Sequence, residues 1–174
     1  PTFFVKKEIV ELGSETVLIH RHGMEIPIED SAAPIKNADG LVVGAVLVFH
    51  DVSQSRAHAN EIEYQANHDA LTGLLNRREF DRRLQQSVVK AREGDCENIL
   101  LFMDLDRFKI VNDSAGHAAG DELLKQLTKL MSGKLRQRDT FARLGGDEFA
   151  VLLEFCSKDI GLKVANKLRS AIED

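Results

Sequence analysis

The sequence has little cysteine, no long hydrophobic run and no excess of positive charge, and each shortage excludes a class of protein. Only Cys96 and Cys156 occur in 174 residues. They are far apart and lack histidines at metal-binding spacing, so neither a disulfide framework nor a zinc site is indicated. The net charge of -5 disfavours binding of DNA or RNA polymers through a basic face.

The longest apolar stretch, Leu41 to Phe49, is far shorter than the roughly 20 residues that span a bilayer. Nothing in the sequence resembles a signal peptide. We therefore expect a cytoplasmic segment that makes no membrane contact itself, in a parent protein that could still be anchored upstream.

The first third of the sequence has β character, which a helical pattern then replaces. Residues 16–21, 25–33 and 41–50 alternate with turn signals, which predicts a three-stranded antiparallel meander. Residues 54–68 contain neither proline nor glycine, and apolar side chains near heptad spacing predict a connecting helix. The apolar stripe comprises Val52, Ala59, Ile62 and Ala66. Because this stripe is short and rich in alanine, the helix could either pair as a weak parallel coiled coil or serve as a solvated spacer.

The remaining residues mix helical and strand patterns. Helices are predicted at 77–92, 106–112, 121–135 and 159–172, with Asn76 as the N-cap of the first. An apolar strand is predicted at 99–105, and a hairpin joins 140–144 to 149–155. The Gly145-Gly146 pair supplies the positive backbone angles that a tight hairpin needs. This order of elements predicts an α+β fold.

Acidic residues stand where two of these strands end. Asp147 and Glu148 lie at the tip of the glycine hairpin, and the apolar strand ends in Asp104 and Asp106. Folding alone does not require acids there, but two such strand ends brought together would form a site of oxygen ligands. Hard cations such as Mg²⁺ bind one or two carboxylates together with substrate phosphates. The pattern therefore favours a nucleotide phosphoryl-transfer site over a zinc or calcium site.

Three motifs, in this order, resemble those of the GGDEF family, the diguanylate cyclases that make cyclic di-GMP from two GTP. They are DALTGLLNR at 69–77, DLDRFKIVNDSAGHAAGD at 104–121 and GGDEF at 145–149. The resemblance implies a ferredoxin-like α/β sandwich, here without its expected closing strands, and Mg²⁺ or Mn²⁺ as the cofactor. It also implies GTP as substrate and a homodimer, because one site holds one GTP.

The resemblance further implies roles for individual residues. The metal ligands would be Asp104, Asp147 and the backbone carbonyl of Leu105; the catalytic groups Asp147 or Glu148 and Lys109; and the substrate-binding groups Asn112, His117, Asp121 and the backbone of Phe108. An amide and a carboxylate suit the donors and acceptor on a guanine edge. Asp121 could instead be only a helix N-cap, Lys109 a solvent-facing lysine, and His117 a residue that stabilises its loop.

Upstream of the hairpin, Arg136 and Asp139 resemble the RxxD inhibitory site at which these enzymes bind their product, cyclic di-GMP. A forked guanidinium suits both phosphate and guanine edges. Arg143 and the Asp69/Arg77 pair are expected to be structural, tying the hairpin to the entry turn of the domain by ion pairing.

The segment up to Ser53 resembles the C-terminal half of a PAS sensory domain, including its Asp51-Val52-Ser53 ending. The implied division is a partial PAS domain at 1–53, a linker helix at 54–68 and an incomplete GGDEF domain at 69–174. The sequence therefore predicts a sensor-linked diguanylate cyclase. The alternative is a regulatory module that binds GTP or cyclic di-GMP within a larger GGDEF-phosphodiesterase protein.

Overall fold

The structure is a computed structural model, and it describes residues 10–11, 16–94 and 96–173. The chain divides into two compact units, residues 1–63 and 64–174. The elements in chain order are β1 (Val10–Glu11), β2 (Val17–Ile19), β3 (Glu25–Lys36), β4 (Val42–Asp51), α1 (Ser53–Asn67), α2 (Arg77–Glu93), β5 (Ile99–Asp104), α3 (Phe108–Ala115), α4 (His117–Ser132), β6 (Thr140–Gly145), β7 (Glu148–Leu153) and α5 (Lys158–Glu173).

The first unit contains an antiparallel sheet in which β3 pairs with β1, β2 and β4. The tight turns before and after β3 contain Gly23 and Gly40, whose φ angles of 82° and 76° are strained for any residue with a Cβ. The predicted meander is confirmed, and β1 adds a strand that the sequence did not indicate. Residues 1–9 and 12–15 of the predicted PAS segment lie outside the described residues.

Helix α1 matches the predicted connecting helix to within one residue at each end. None of its side chains is buried within the described part of the chain. Ile62, in the predicted apolar stripe, is 67% exposed. Over the ranges that the structure describes, no helix has the length and hydrophobicity needed to cross a membrane.

The second unit contains an antiparallel sheet in the order β5-β7-β6, with helices on both faces. Side chains alternate along β7: Phe149, Val151 and Leu153 pack with residues of α4 and α5, while Ala150 and Leu152 pack with Phe80 of α2. This alternation follows from the two-residue period of a strand. Burying each large side chain contributes about 1.5–3 kcal/mol. The predicted α+β fold class is confirmed.

The bounds of α3 and α4 differ from the prediction. Helix α3 begins at Phe108 rather than Asp106, because Arg107 adopts a left-handed conformation with φ of 62°. Helix α4 begins at His117 rather than Asp121, directly after Gly116 with φ of 84°. Asp121 therefore lies inside α4, and its interpretation as an N-cap is wrong. Helix α4 also ends at Ser132, short of the predicted residue 135.

Candidate functional site

The sheet register brings the two acidic strand ends together. Asp104, the last residue of β5, lies opposite Glu148, the first residue of β7. Gly145 pairs with Glu148 across the hairpin, so Gly146 and Asp147 form its two-residue loop. Gly145 and Gly146 have φ angles of 146° and 52°. A Cβ on either would meet no atom within 4 Å, so these positions favour glycine for its backbone freedom and not for lack of space.

The carboxyl groups of Asp104 and Asp147 are close enough to influence each other. The negative charge of Asp147 raises the pKa of Asp104, and desolvation, a hydrogen bond between the two carboxyls and the charges of Glu148 and Asp106 add to that rise. Neighbouring like charges disfavour the ionisation of a carboxyl group. A bound cation would relieve this repulsion.

The donors at this strand end fit a hard cation. Within the described residues, no group of three or more histidine, cysteine, aspartate or glutamate side chains is placed to hold a metal ion. The oxygen ligands that remain at this strand end are the carboxylates of Asp104 and Asp147 and the nearby Leu105 carbonyl. That carbonyl accepts a hydrogen bond from the amide of Phe108 at 3.2 Å and keeps a second lone pair. Mg²⁺ commonly binds one or two carboxylates and completes its shell with water and substrate phosphates, so the residues present suit it.

Glu148 faces a different partner. Its Oε2 accepts from Nη2 of Arg77 at 3.0 Å, and Nε of Arg77 donates to the carbonyl of Leu144 at 3.1 Å. A cavity of about 240 Å³ lies beside this ion pair, lined by Arg77, Phe102, Met103, Asp104, Leu144 and Glu148. Pairing of Arg77 with Asp69, expected from the sequence, is therefore wrong. The opposite charges of Arg77 and Glu148 were visible in the sequence, but nothing there indicated that they would meet.

Arg143 is the partner that ties the entry turn to the hairpin. Its Nη1 donates to Asp69 Oδ1 and Oδ2 at 3.0 and 3.2 Å, while Nε and Nη2 donate to the Gly146 carbonyl at 2.9 and 2.7 Å. Burial alone would raise the pKa of Asp69, but hydrogen bonds from Thr72 and Arg143 outweigh it and lower that pKa. Because Gly146 immediately precedes Asp147, this network restrains one of the two paired carboxylates.

Helices α3 and α4 meet where Gly120 is buried in α4. A Cβ on Gly120 would overlap Oδ1 of Asn112 and lie 3.1 Å from Cζ of Phe108. Asn112 and Phe108 are half-buried, whereas Asp121 and His117 are exposed on the same helix as Gly120. The structure thus places Asn112, Phe108 and Asp121 at one corner of the fold. Sequence reasoning missed Gly120, although a glycine inside a helical pattern is a recognisable signal of close approach.

The start of α3 presents Lys109 as an exposed side chain in its first turn. The α3 start has no side-chain cap. The Phe108 amide already donates to Leu105, and the amide of Ile110 donates to the carbonyl of Arg107 at 2.9 Å. Any phosphate at this end would share these amides with the turn.

Arg136 and Asp139 form a reciprocal turn. The Arg136 amide donates to Asp139 Oδ2 at 2.8 Å, and the Asp139 amide donates to the Arg136 carbonyl at 2.9 Å. A cavity of about 300 Å³ adjoins them, and its other polar lining residues are His68, Arg83, Ser132 and Thr140. Asp139 therefore orders the turn that carries Arg136, and Arg83 adds a second guanidinium to the cavity wall.

Comparison with known proteins gives a consistent result. A family model described as "Diguanylate cyclase, GGDEF domain" matches residues 66–174. The chain is 44% identical over 161 residues to "Probable diguanylate cyclase DgcE" of Escherichia coli (strain K12), which covers 92% of this chain and 15% of that protein. It is 34% identical over 145 residues to "Cyclic di-GMP phosphodiesterase PdeB" of Shewanella oneidensis, covering 83% of this chain and 16% of that protein.

Among solved structures, the coiled coil and GGDEF domain of DgcB from Caulobacter crescentus, in complex with c-di-GMP, matches with a TM-score of 0.64. The identity is 28%, and the match covers 67% of this chain and 61% of that chain. The chain spans 15% and 16% of the two curated relatives, so it corresponds to a small part of each.

Proposed function

We propose that this chain, which belongs to the GGDEF family of diguanylate cyclase domains, supplies one of the two sites that together condense two GTP molecules into cyclic di-GMP. The observation that carries this proposal is the strand register, which places Asp104 opposite Glu148 and beside the turn that contains Asp147, where the charge of Asp147 raises the pKa of Asp104. Such a pair has little structural purpose at an exposed strand end. It suits a reaction in which negatively charged phosphates must be held and neutralised.

The metal ligands would be Asp104, Asp147 and the Leu105 carbonyl, with Mg²⁺ or Mn²⁺ as the cation. When bound, such a cation neutralises triphosphate charge and makes the attacking hydroxyl more acidic. In each of two steps, the 3′-oxygen of one GTP attacks the α-phosphorus of the other, and the bond to pyrophosphate breaks. Asp147 or Glu148 accepts the proton of that hydroxyl. Lys109 balances charge on the transferring phosphate, in the manner of other phosphoryl-transfer sites.

The guanine base would be read at the corner between α3 and α4. Asn112 and Asp121 provide the amide and carboxylate that match its edge, with the Phe108 backbone and His117 beside the substrate. The close approach of α4 to Asn112 at Gly120 supports this assignment, because it restricts where the Asn112 amide can point.

Two such sites must meet for the reaction, because each holds one GTP, and we therefore propose a homodimer. Residues 1–53 would be the C-terminal part of a PAS sensor, residues 54–68 the linker that controls pairing, and residues 69–174 the cyclase domain. The match to a solved structure that includes a coiled coil supports this role for the linker. The proposed GTP substrate supports a cytoplasmic location for the segment. Product bound at Arg136 and Asp139 would limit synthesis.

A second candidate is a regulatory module that binds GTP or cyclic di-GMP within a phosphodiesterase protein. The 34% identity to the phosphodiesterase PdeB over 83% of the chain favours it. The two candidates differ in one observable, since only a cyclase converts GTP.

The deciding experiment is product analysis by mass spectrometry after incubating the full-length protein with GTP and Mg²⁺. Cyclic di-GMP should form with the parent protein and fall by at least 100-fold in Asp147→Asn and Asp104→Asn, since removing a catalytic electrostatic contact typically costs about 10²–10³ in rate. Asp113→Asn, which removes an exposed carboxylate of α3, is the matched control and should retain activity. Intact GTP in every sample would favour the regulatory module.

A further inference from the structure

Arg77 makes two contacts at the edge of the proposed metal site. Its guanidinium reaches Glu148 at 3.0 Å and the Leu144 carbonyl at 3.1 Å, one on β7 and the other on β6. A guanidinium that bonds two acceptors is held in direction as well as in position. Glu148 is therefore directed toward α2 rather than left free.

The backbone of Arg77 is itself held in place. It is the first residue of α2, directly after the N-cap Asn76. The Asn76 side chain accepts from the Glu79 amide at 3.0 Å and donates to the Ala66 carbonyl at 2.9 Å. The second bond ties the start of α2 to the last turn of α1, so the Arg77 side chain extends from a restrained backbone.

Stability does not account for this ion pair. The side chains of Arg77 and Glu148 are 58% and 54% exposed, and exposed pairs contribute little to folding. The register nevertheless places Glu148 directly opposite Asp104, so a freed Glu148 carboxylate would lie beside the Asp104–Asp147 pair. The ion pair therefore affects the Asp104–Asp147 site more than the stability of the fold.

We propose that Arg77 is a positioning residue that withholds Glu148 from the Asp104–Asp147 pair and so limits the affinity of the site for a divalent cation. The inference rests on the metal site of the proposed function. Arg77 acts in two ways: it occupies the third carboxylate, and it places a positive charge next to the cation. Binding a cation through Glu148 requires this ion pair to open.

The test is a titration of the full-length protein with Mn²⁺, in which the electron paramagnetic resonance signal reports the free ion. Arg77→Gln should bind Mn²⁺ about two- to five-fold more tightly than the parent, the range expected for losing one exposed ion pair. Arg77→Lys keeps the positive charge but loses the forked guanidinium, so its Mn²⁺ affinity should lie between those of Arg77→Gln and the parent. Arg78→Gln is the matched control, because Arg78 donates to Asn67 Oδ1 at 3.1 Å and has no role at the carboxylates.

A double variant separates the two effects of Arg77. In a Glu148→Gln background, Arg77→Gln should change Mn²⁺ affinity by less than half as much, since the carboxylate it released is gone. An equal change in both backgrounds would show that Arg77 acts only through its charge, and unchanged or weaker binding in Arg77→Gln would overturn the proposal outright. Circular dichroism spectra establish that each variant is folded.

One further variant distinguishes failure of this inference from failure of the proposed site. Asp104→Asn should weaken Mn²⁺ binding. If it does and Arg77→Gln has no effect, the inference alone is refuted. If Asp104→Asn binds like the parent, or the parent binds no Mn²⁺, the proposed metal site and the inference are both refuted.

Discussion

Replacing Gly120 by alanine tests how the α3–α4 corner holds Asn112. In a helix interior this change ordinarily stabilises a protein by about 1 kcal/mol, because alanine is the better helix former. Here the new methyl group would overlap the Asn112 side-chain oxygen and approach Asn112 Cγ and Phe108 Cζ to 3.1 Å. Overpacking of this kind typically costs about 1–3 kcal/mol.

A rotation of one side chain relieves that overlap at a small cost in free energy. The Asn112 oxygen is the end of a rotatable side chain, so the amide turns away while Phe108 shifts by a few tenths of an ångström. The gain in helix propensity and the cost of the remaining crowding then offset each other, and the free energy of unfolding changes by less than about 1 kcal/mol. The hydrogen bonds that we propose between Asn112 and guanine would then be lost. At about 0.5–1.5 kcal/mol each, two such bonds total about 1–3 kcal/mol, which corresponds to GTP binding weakened about 5- to 150-fold.

The assay is isothermal titration calorimetry of the full-length protein with GTP and with ATP, beside urea unfolding. Gly120→Ala should weaken GTP binding about 5- to 150-fold and reduce the preference for GTP over ATP. Gly133→Ala is the control, because a Cβ at Gly133 has ordinary contacts of 3.6 Å or more and should leave affinity unchanged. An increase of about 1 kcal/mol in the free energy of unfolding, with GTP affinity unchanged, would refute the reasoning. Asn112→Ala identifies the cause: if it too leaves GTP affinity unchanged, Asn112 does not read guanine.

Three further predictions follow from charged groups in the second unit. Asp69→Ala should lower the free energy of unfolding by about 2–3 kcal/mol in urea titrations, because it leaves the half-buried Arg143 guanidinium without its carboxylate; a loss below 0.5 kcal/mol would contradict this estimate. Hydrogen bonds, first from Arg82 and then from Arg83, lower the pKa of Glu79 to about 2, which is below its value in the unfolded chain. The stabilisation of the fold by ionised Glu79 is therefore complete above about pH 4.5 and is lost as the pH falls toward 2. Glu79→Gln should therefore flatten the fall in unfolding free energy across that window, and a slope unchanged from the parent would exclude the ion pairs as its source. Arg136→Ala should raise the cyclic di-GMP concentration that half-inhibits initial rates by more than about tenfold, since a hydrogen bond to a charged group contributes about 1.5–3 kcal/mol; inhibition equal to the parent would remove Arg136 from the product site.

Periodicity predicted the elements whose pattern is local and strong. Helix α2 and its Asn76 cap follow from the spacing of apolar residues and from a polar residue before the first turn, and both are present. The starts of α3 and α4 were predicted wrongly for two different reasons. Arg107 is left-handed without being glycine, which no local pattern reveals. Gly116 was a readable signal, since glycine is accepted at a helix start.

The sequence by itself determined which acids stand at strand ends and which glycines allow the hairpin between them, because strand and turn formation depend on neighbouring residues. Only the tertiary structure decided the partners of those charges. Arg143 pairs with Asp69 across 74 residues and Arg77 with Glu148 across 71, although the sequence had suggested a different pairing. Charge types do not specify partners at such separations. The packing of α2 and the segment before it against β6 and β7 does, because it fixes which side chains lie within reach of one another.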